Sequence, residues 1–363
     1  MYLPVYINGF FLTVSLVGII LSIPKIISLL SDIFLVQIIR KVQKKTLVIT
    51  GISGLIVMGI LYYFIDSSLM VIIGLIIYGI GIELYYVPTY TQMIKHVPDK
   101  KESEYDAIFK SFQSLGWTLG PIVGGFILAS TIPQNIFLFF ILICFIGLIF
   151  TLTTTKDEPI VIRKRKTLLE FFSALHIKTK LVLFLNGVIH LWDIILWFLI
   201  PLSFIINGKP KQAGILLSAL TLPYMIFRVP AGILEDRNGR EKIIFPGFIL
   251  IAILFYLFAN TTSFPIQLII VFGISSVGAI LSSAFGGIII NSTTKDQKDT
   301  ISSISSLFEN ASSIIGRIGA GIVVTMLSFS ATYNILAIII LFIAFITKIF
   351  LHKINLTIFQ SKQ

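Results

Sequence analysis

Three ionisable side chains interrupt runs that are otherwise apolar: Glu83 in "IGIELYY", and His190 and Asp193 in "VIHLWDIIL". A charged side chain near the middle of a bilayer costs about 2.5–3.5 kcal/mol on insertion scales, so each needs a chemical reason. His190 and Asp193 are three residues apart, which places them on one face of a helix. Carboxylates and imidazoles in a wet cavity of low dielectric can take up and release protons near working pH. A structural pair that fixes packing, or an acid that binds a substrate without moving protons, fits the same residues. A second set comprises Lys25, Asp32, Glu309 and Arg317. Lys25 and Asp32 are seven residues apart, nearly on one helix face, and Glu309 and Arg317 share a later helix. Arg228 stands two turns before Asp236, placed either to reach lipid headgroups or to join the charges that follow it.

These residues need elements that cross a membrane. The chain of 363 residues is 56% hydrophobic and 12% charged, half the charge of an ordinary soluble domain. Its apolar runs reach the roughly 20 residues that a helix needs to span hydrocarbon, and they do not alternate as barrel strands do. The expectation is an all-α, polytopic membrane protein with spans at 11–38, 46–65, 68–93, 104–129, 133–154, 180–206, 212–234, 243–260, 264–290, 301–328 and 331–352. Lys and Arg gather in alternate loops: Arg40 to Lys45, Lys95 to Lys101, "RKRK" at 163–166, Arg237 to Lys242, Lys295 and Lys298, and the C-terminal tail. The opposite loops hold only Lys209 and Lys211. Positive loops favour the cytoplasm, so the C-terminus and central loop are expected there, in a plasma membrane. The net charge of +11 is thereby a topology signal and calls for no nucleic-acid partner.

The chain repeats at an offset of 196 residues. "VGIILS" at 17–22 matches "AGILLS" at 213–218, "GPIVGG" at 120–125 lies over "GRIGAG" at 316–321, and Gly51 pairs with Gly247. Two similar halves follow, 1–155 and 181–363, joined by a basic linker at 156–180. Transporters are often built from such repeats, with the substrate site between them. By the same offset, the partner of the helix at 180–206 would begin before Met1, leaving "LPVYI" at 3–7 as its tail. Eleven helices rather than twelve are expected. Met1 then reads as an internal start of a longer working chain, or as a real truncation or decay.

The segment "GILEDRNGR" supplies Gly232, Asp236, Arg237, Gly239 and Arg240, which fit the cytoplasmic loop motif G-x-x-x-D-R-x-G-R. With the repeat and the topology, this chain resembles a Major Facilitator Superfamily transporter, two pseudo-symmetric bundles of six helices. The resemblance implies that Asp236 faces a helix N-terminus in the other bundle, worth roughly 0.3–1 kcal/mol, and latches the outward-open state; a solvated loop that only sets topology is the plainer reading. The first-half copy has Val36, Arg40 and Gln43 in place of Gly232, Asp236 and Gly239, so gating is expected to be asymmetric. "GWTLGPIVGG" carries Gly116, Gly120, Pro121, Gly124 and Gly125, similar to the superfamily's antiporter motif, where small residues let helices approach closely. Against export, Leu75 stands where many exporters carry Arg. The resemblance further implies a central cavity that holds Glu83, His190 and Asp193, with Trp192, Trp197, Tyr85 and Tyr86 as aromatic surface, and an interface network of Lys25, Asp32, Glu309 and Arg317.

The function expected is secondary active transport of a small solute, proton-coupled, with export slightly favoured. A non-transporting or decayed membrane protein is the alternative. No H-E-x-x-H or G-x-S-x-G motif points to an enzyme, and no nucleotide-binding loop to ATP drive. No metal or cofactor is expected, and the expected unit is a monomer in lipid.

Overall fold

The computed structural model describes residues 3–39, 42–95, 102–154, 172–173, 175, 177–238, 240–291 and 298–360. Within these, the side chains of Asp32, Arg228, Gly232, Asp236, Arg237 and Arg240 lie outside the described residues, as does all of Gly239. The linker at 156–180 falls mostly outside as well.

The described chain is built of helices: α1 (Leu3–Asn8), α2 (Val14–Leu21), α3 (Ile23–Ile39), α4 (Lys44–Tyr63), α5 (Ser68–Lys95), α6 (Glu102–Ser130), α7 (Asn135–Thr154), α8 (Ile177–Ile206), α9 (Pro210–Asn238), α10 (Ile244–Asn260), α11 (Phe264–Asn291), α12 (Lys298–Met326) and α13 (Phe329–Gln360). Nine described segments are long and apolar enough to cross a membrane, and Ile244–Asn260 is a shorter apolar helix. In hydrocarbon, only such internally hydrogen-bonded segments leave no backbone group unpaired.

The span expected at 11–38 is not one continuous helix. It breaks at Ser22 into α2 and α3. The cause is local: Pro24 has no N–H, so it cannot donate to the carbonyl of Ile20. The chain tightens there, with Ser22 N and Lys25 N each donating three residues back, to Ile19 O and Ser22 O (3.0 Å each). Thr13 starts α2 by accepting a bond from Leu16 N at 3.3 Å.

In the first half α4 packs on α5 and α7, and α3 on α5. In the second, α9 packs on α11, α10 on α13, and α12 on α8. The repeat is visible at the crossings. A Cβ on Gly51 would fall 2.7 Å from Gly81 O, and one on its counterpart Gly247 would fall 2.8 Å from the Leu281 side chain. At Gly51 the neighbour is backbone, so a side chain would widen the crossing, whereas at Gly247 it is the end of a leucine side chain. The short α1 reaches the first half through Tyr6, whose hydroxyl donates to Tyr62 O (3.2 Å) and whose ring meets Phe137 edge-on at 4.9 Å.

The two largest seams between the halves are α2 with α12 and α6 with α9. Each unites one copy of the first repeat motif with the opposite copy of the second. At one, Ser15 N donates to Thr325 Oγ1 (3.0 Å), and a Cβ on Gly321 would fall 2.8 Å from Val14 O. At the other, Ser218 Oγ donates to Thr118 O (2.7 Å), and the Thr118 and Thr221 hydroxyls are 2.9 Å apart. By position along their helices, both seams lie in the half of the molecule away from the basic loops. The conformer is closed at that end.

Candidate functional site

At mid-depth a chain of polar side chains runs from α5 through α3 to α12. Lys25 Nζ donates to Asn310 Oδ1 at 3.1 Å. Asn310 Nδ2 donates to Ser28 Oγ and to Ser306 Oγ, 3.4 Å each. Ser28 Oγ in turn donates to Glu83 Oε1. The spacing explains the convergence: Lys25 and Ser28 are three apart on α3, and Ser306 and Asn310 four apart on α12, so each pair shares a face.

Beside it stands a second cluster between α8 and α12. His190 Nε2 lies 3.3 Å from Glu309 Oε1, and each of these side chains is 38% exposed. Glu309 also accepts from Ser305 Oγ (3.2 Å) and Asn186 Nδ2 (3.5 Å). Asn310, the acceptor of Lys25, directly follows Glu309 in α12, and so links the clusters. Asp193 has its partner on α9, where Tyr224 OH donates to its Oδ2 at 2.9 Å.

Glu83 is joined to Lys25 through Ser28 and Asn310, and Asp193 is bonded to Tyr224. His190 meets Glu309. Arg317 belongs to the α2–α12 seam, where Nη1 donates to Leu21 O at 2.7 Å. Of the aromatic residues, Trp192 is fully buried against Phe248, which makes it core. Trp197 meets Trp117 of α6 edge-on at 5.6 Å, and Tyr85 and Tyr86 are exposed. In α6, Pro121, Gly124 and Gly125 are buried and Gly120 half-buried, whereas a Cβ on Gly116 would meet nothing within 4 Å.

Sequence reasoning missed Asn186, Asn310, Ser28, Ser305 and Tyr224. A signal existed for two of them. Asn186, His190 and Asp193 recur at four and three residues, one polar stripe along α8. Asn310 is an amide next to Glu309 in a span. Among the described residues no three His, Cys, Asp or Glu side chains gather as a metal site.

Asn310 is the hinge of the network, 3% exposed and bonded on both sides. Asn310→Leu removes one hydrogen bond from Lys25 and one from Ser28, each worth about 0.5–1.5 kcal/mol. A lower melting temperature in detergent is the expected result, and an unchanged one would remove Asn310 from the network.

A profile of the Major Facilitator Superfamily matches residues 1–208 and, overlapping these, 182–357. The chain belongs to the Major Facilitator Superfamily. Membership makes it a membrane transport protein and not an enzyme. Solved structures similar to it include a POT family transporter in complex with a thioalcohol-conjugated peptide, at TM-score 0.76 and 15% identity, covering 98% of this chain and 91% of the other. Another is a POT family transporter in complex with 5-aminolevulinic acid, at TM-score 0.72 and 14% identity, covering 94% and 88%. At these identities the likeness is one of fold. A search of curated proteins finds no match. The polar network draws on α3 and α5 of the first half of the chain and on α8 and α12 of the second.

Proposed function

We propose that this protein carries a small solute across the plasma membrane by alternating access, coupled to protons, with the basic loops in the cytoplasm. The observation that supports this most is the accessible His190–Glu309 pair standing next to the Lys25–Asn310 bond. The first is a place for a proton within the second bundle. The second joins the bundles. Protonating Glu309 removes one counter-charge from Lys25, and so weakens the balance of charges at the bond that must part when the bundles rock. A ligand shifts such an equilibrium only by its differential affinity for the two states, and a proton placed here has that property. Closure at the end away from the basic loops fits one end-state of the cycle.

Export is the favoured direction, on the small-residue motif of α6 packed against α9. Leu75 argues the other way. Lys25 and the carboxylates offer both signs of charge at the site, so small zwitterions are the first solutes to try. The complexes with a conjugated peptide and with 5-aminolevulinic acid in proteins of the same fold point to the same class.

Proteoliposomes with an imposed pH gradient and an internal pH dye test the reading. A solute that moves protons on addition, and whose accumulation collapses with a protonophore, is the expected result. Solute exchange indifferent to the protonophore would overturn coupling. Absence of any flux across a panel of zwitterions, cations and sugars would favour a non-transporting relative.

A further inference from the structure

The mechanism above does not use Lys209 and Lys211, cations at the closed end. Lys211 opens α9, and its Nζ lies 5.3 Å from the centroid of the Phe126 ring on α6. One turn deeper on the same two helices are Ile215 and Ile122, which form facing walls of a crevice of about 460 Å³. Leu222 of α9, with Ile269 and Phe272 of α11, completes the apolar lining. The polar atoms at its floor are already engaged with each other: Ser218 Oγ with Thr118 O, and Thr118 Oγ1 with Thr221 Oγ1. The crevice therefore has little to offer a polar solute. It opens sideways, since Ile269 is 71% exposed and Leu222 36%. In a membrane that opening faces hydrocarbon.

Depth and charge identify what fits. From Lys211 to Leu222 the helix descends about 16 Å at 1.5 Å per residue, close to one leaflet of a hydrocarbon core of about 30 Å. An apolar crevice open toward hydrocarbon and about one leaflet deep suits an extended acyl chain, and the Lys211 ammonium one turn above it stands where a phosphate would be. We infer that this crevice holds one acyl chain of a phospholipid from the leaflet opposite the basic loops, with its phosphate on Lys211. Because α6 forms one wall and α9 and α11 the others, the lipid touches both bundles. It favours the conformer in which the α6–α9 seam is closed.

The test is native mass spectrometry of the full chain in detergent, titrated with phosphatidylglycerol. Retention of one lipid is expected, weakened about five-fold in Lys211→Gln, the effect of one cation near a membrane surface. Leu222→Trp and Ile269→Trp fill the crevice from α9 and from α11 at exposed positions, and both should lose the lipid while keeping the parent melting temperature. Lys209→Gln should change little. Equal weakening by Lys209→Gln and Lys211→Gln would mean only general surface attraction, and would overturn the site. So would full retention by either Trp variant, or equal retention of a neutral diacylglycerol.

Discussion

Glu309→Gln is expected to abolish accumulation driven by a pH gradient while solute-for-solute exchange survives. Glutamine keeps the shape and can still accept from Ser305 Oγ and Asn186 Nδ2, the 3.2 Å and 3.5 Å partners of the carboxylate. It cannot take a proton, and it cannot change the charge that Lys25 feels. The bundles can then rock with solute bound, but the cycle no longer depends on proton entry. A ten-fold or larger loss of gradient-driven flux, equivalent to about 1.4 kcal/mol on the coupled step, is the expected size. His190→Gln should lower the same flux, because the imidazole is the nearest partner of Glu309 at 3.3 Å. If Glu309→Gln still accumulates solute against its gradient, the proton is bound elsewhere, and Glu83 becomes the residue to replace. If accumulation and exchange fall together, Glu309 holds the solute and not the proton.

The all-helical membrane fold and the family were legible because they rest on strong periodic signals. Runs of 20 apolar residues, alternate basic loops and a repeat offset need no knowledge of packing. The repeat carried more than the count of helices: the motifs paired in sequence meet crosswise at both seams, 14–21 with 317–325 and 211–221 with 118–126. What the repeat could not convey is where the halves differ. Arg317 lies over Pro121, and Lys25 over Thr221, so each charge is private to one copy and has no counterpart to reveal its partner. The immediate partners of the charges are hidden for a related reason. Helix numbering places Glu83 and His190 on a common cavity, but a side chain's partner depends on rotation about each helix axis and on short polar residues between charges. Ser28 carries Glu83 toward Lys25, and a serine in an apolar run is too common to stand out. The break at Ser22 was hidden because its apolar flanks read as one span, although Pro24 was there to be weighed.

That break gives the second large effect. Arg317 comes from the opposite bundle and donates at 2.7 Å to Leu21 O, beside the turn where Lys25 N donates to Ser22 O. The contact is close all along the seam: Gly18 faces the Arg317 backbone, and Gly321 faces Val14 and Ser15. A hydrogen bond from a charged group is worth about 1.5–3 kcal/mol. Insertion of the arginine is costly in any conformer, and that cost matters only so far as it differs between the two states. Arg317→Met keeps the stem and loses the bond, so the closed end should open, with a roughly ten- to hundred-fold shift in population. Gly321→Leu should act in the same direction without touching charge, since its Cβ would stand 2.8 Å from Val14 O. Spin labels at Leu12 and Leu327, 98% and 63% exposed at the closed end, would report the separation in a background where Cys144, the single cysteine, is serine. A longer distance population in both variants is expected. Distances unchanged in both would mean that the seam is held elsewhere, with the α6–α9 contact at Thr118 and Thr221 as the remaining place to open it.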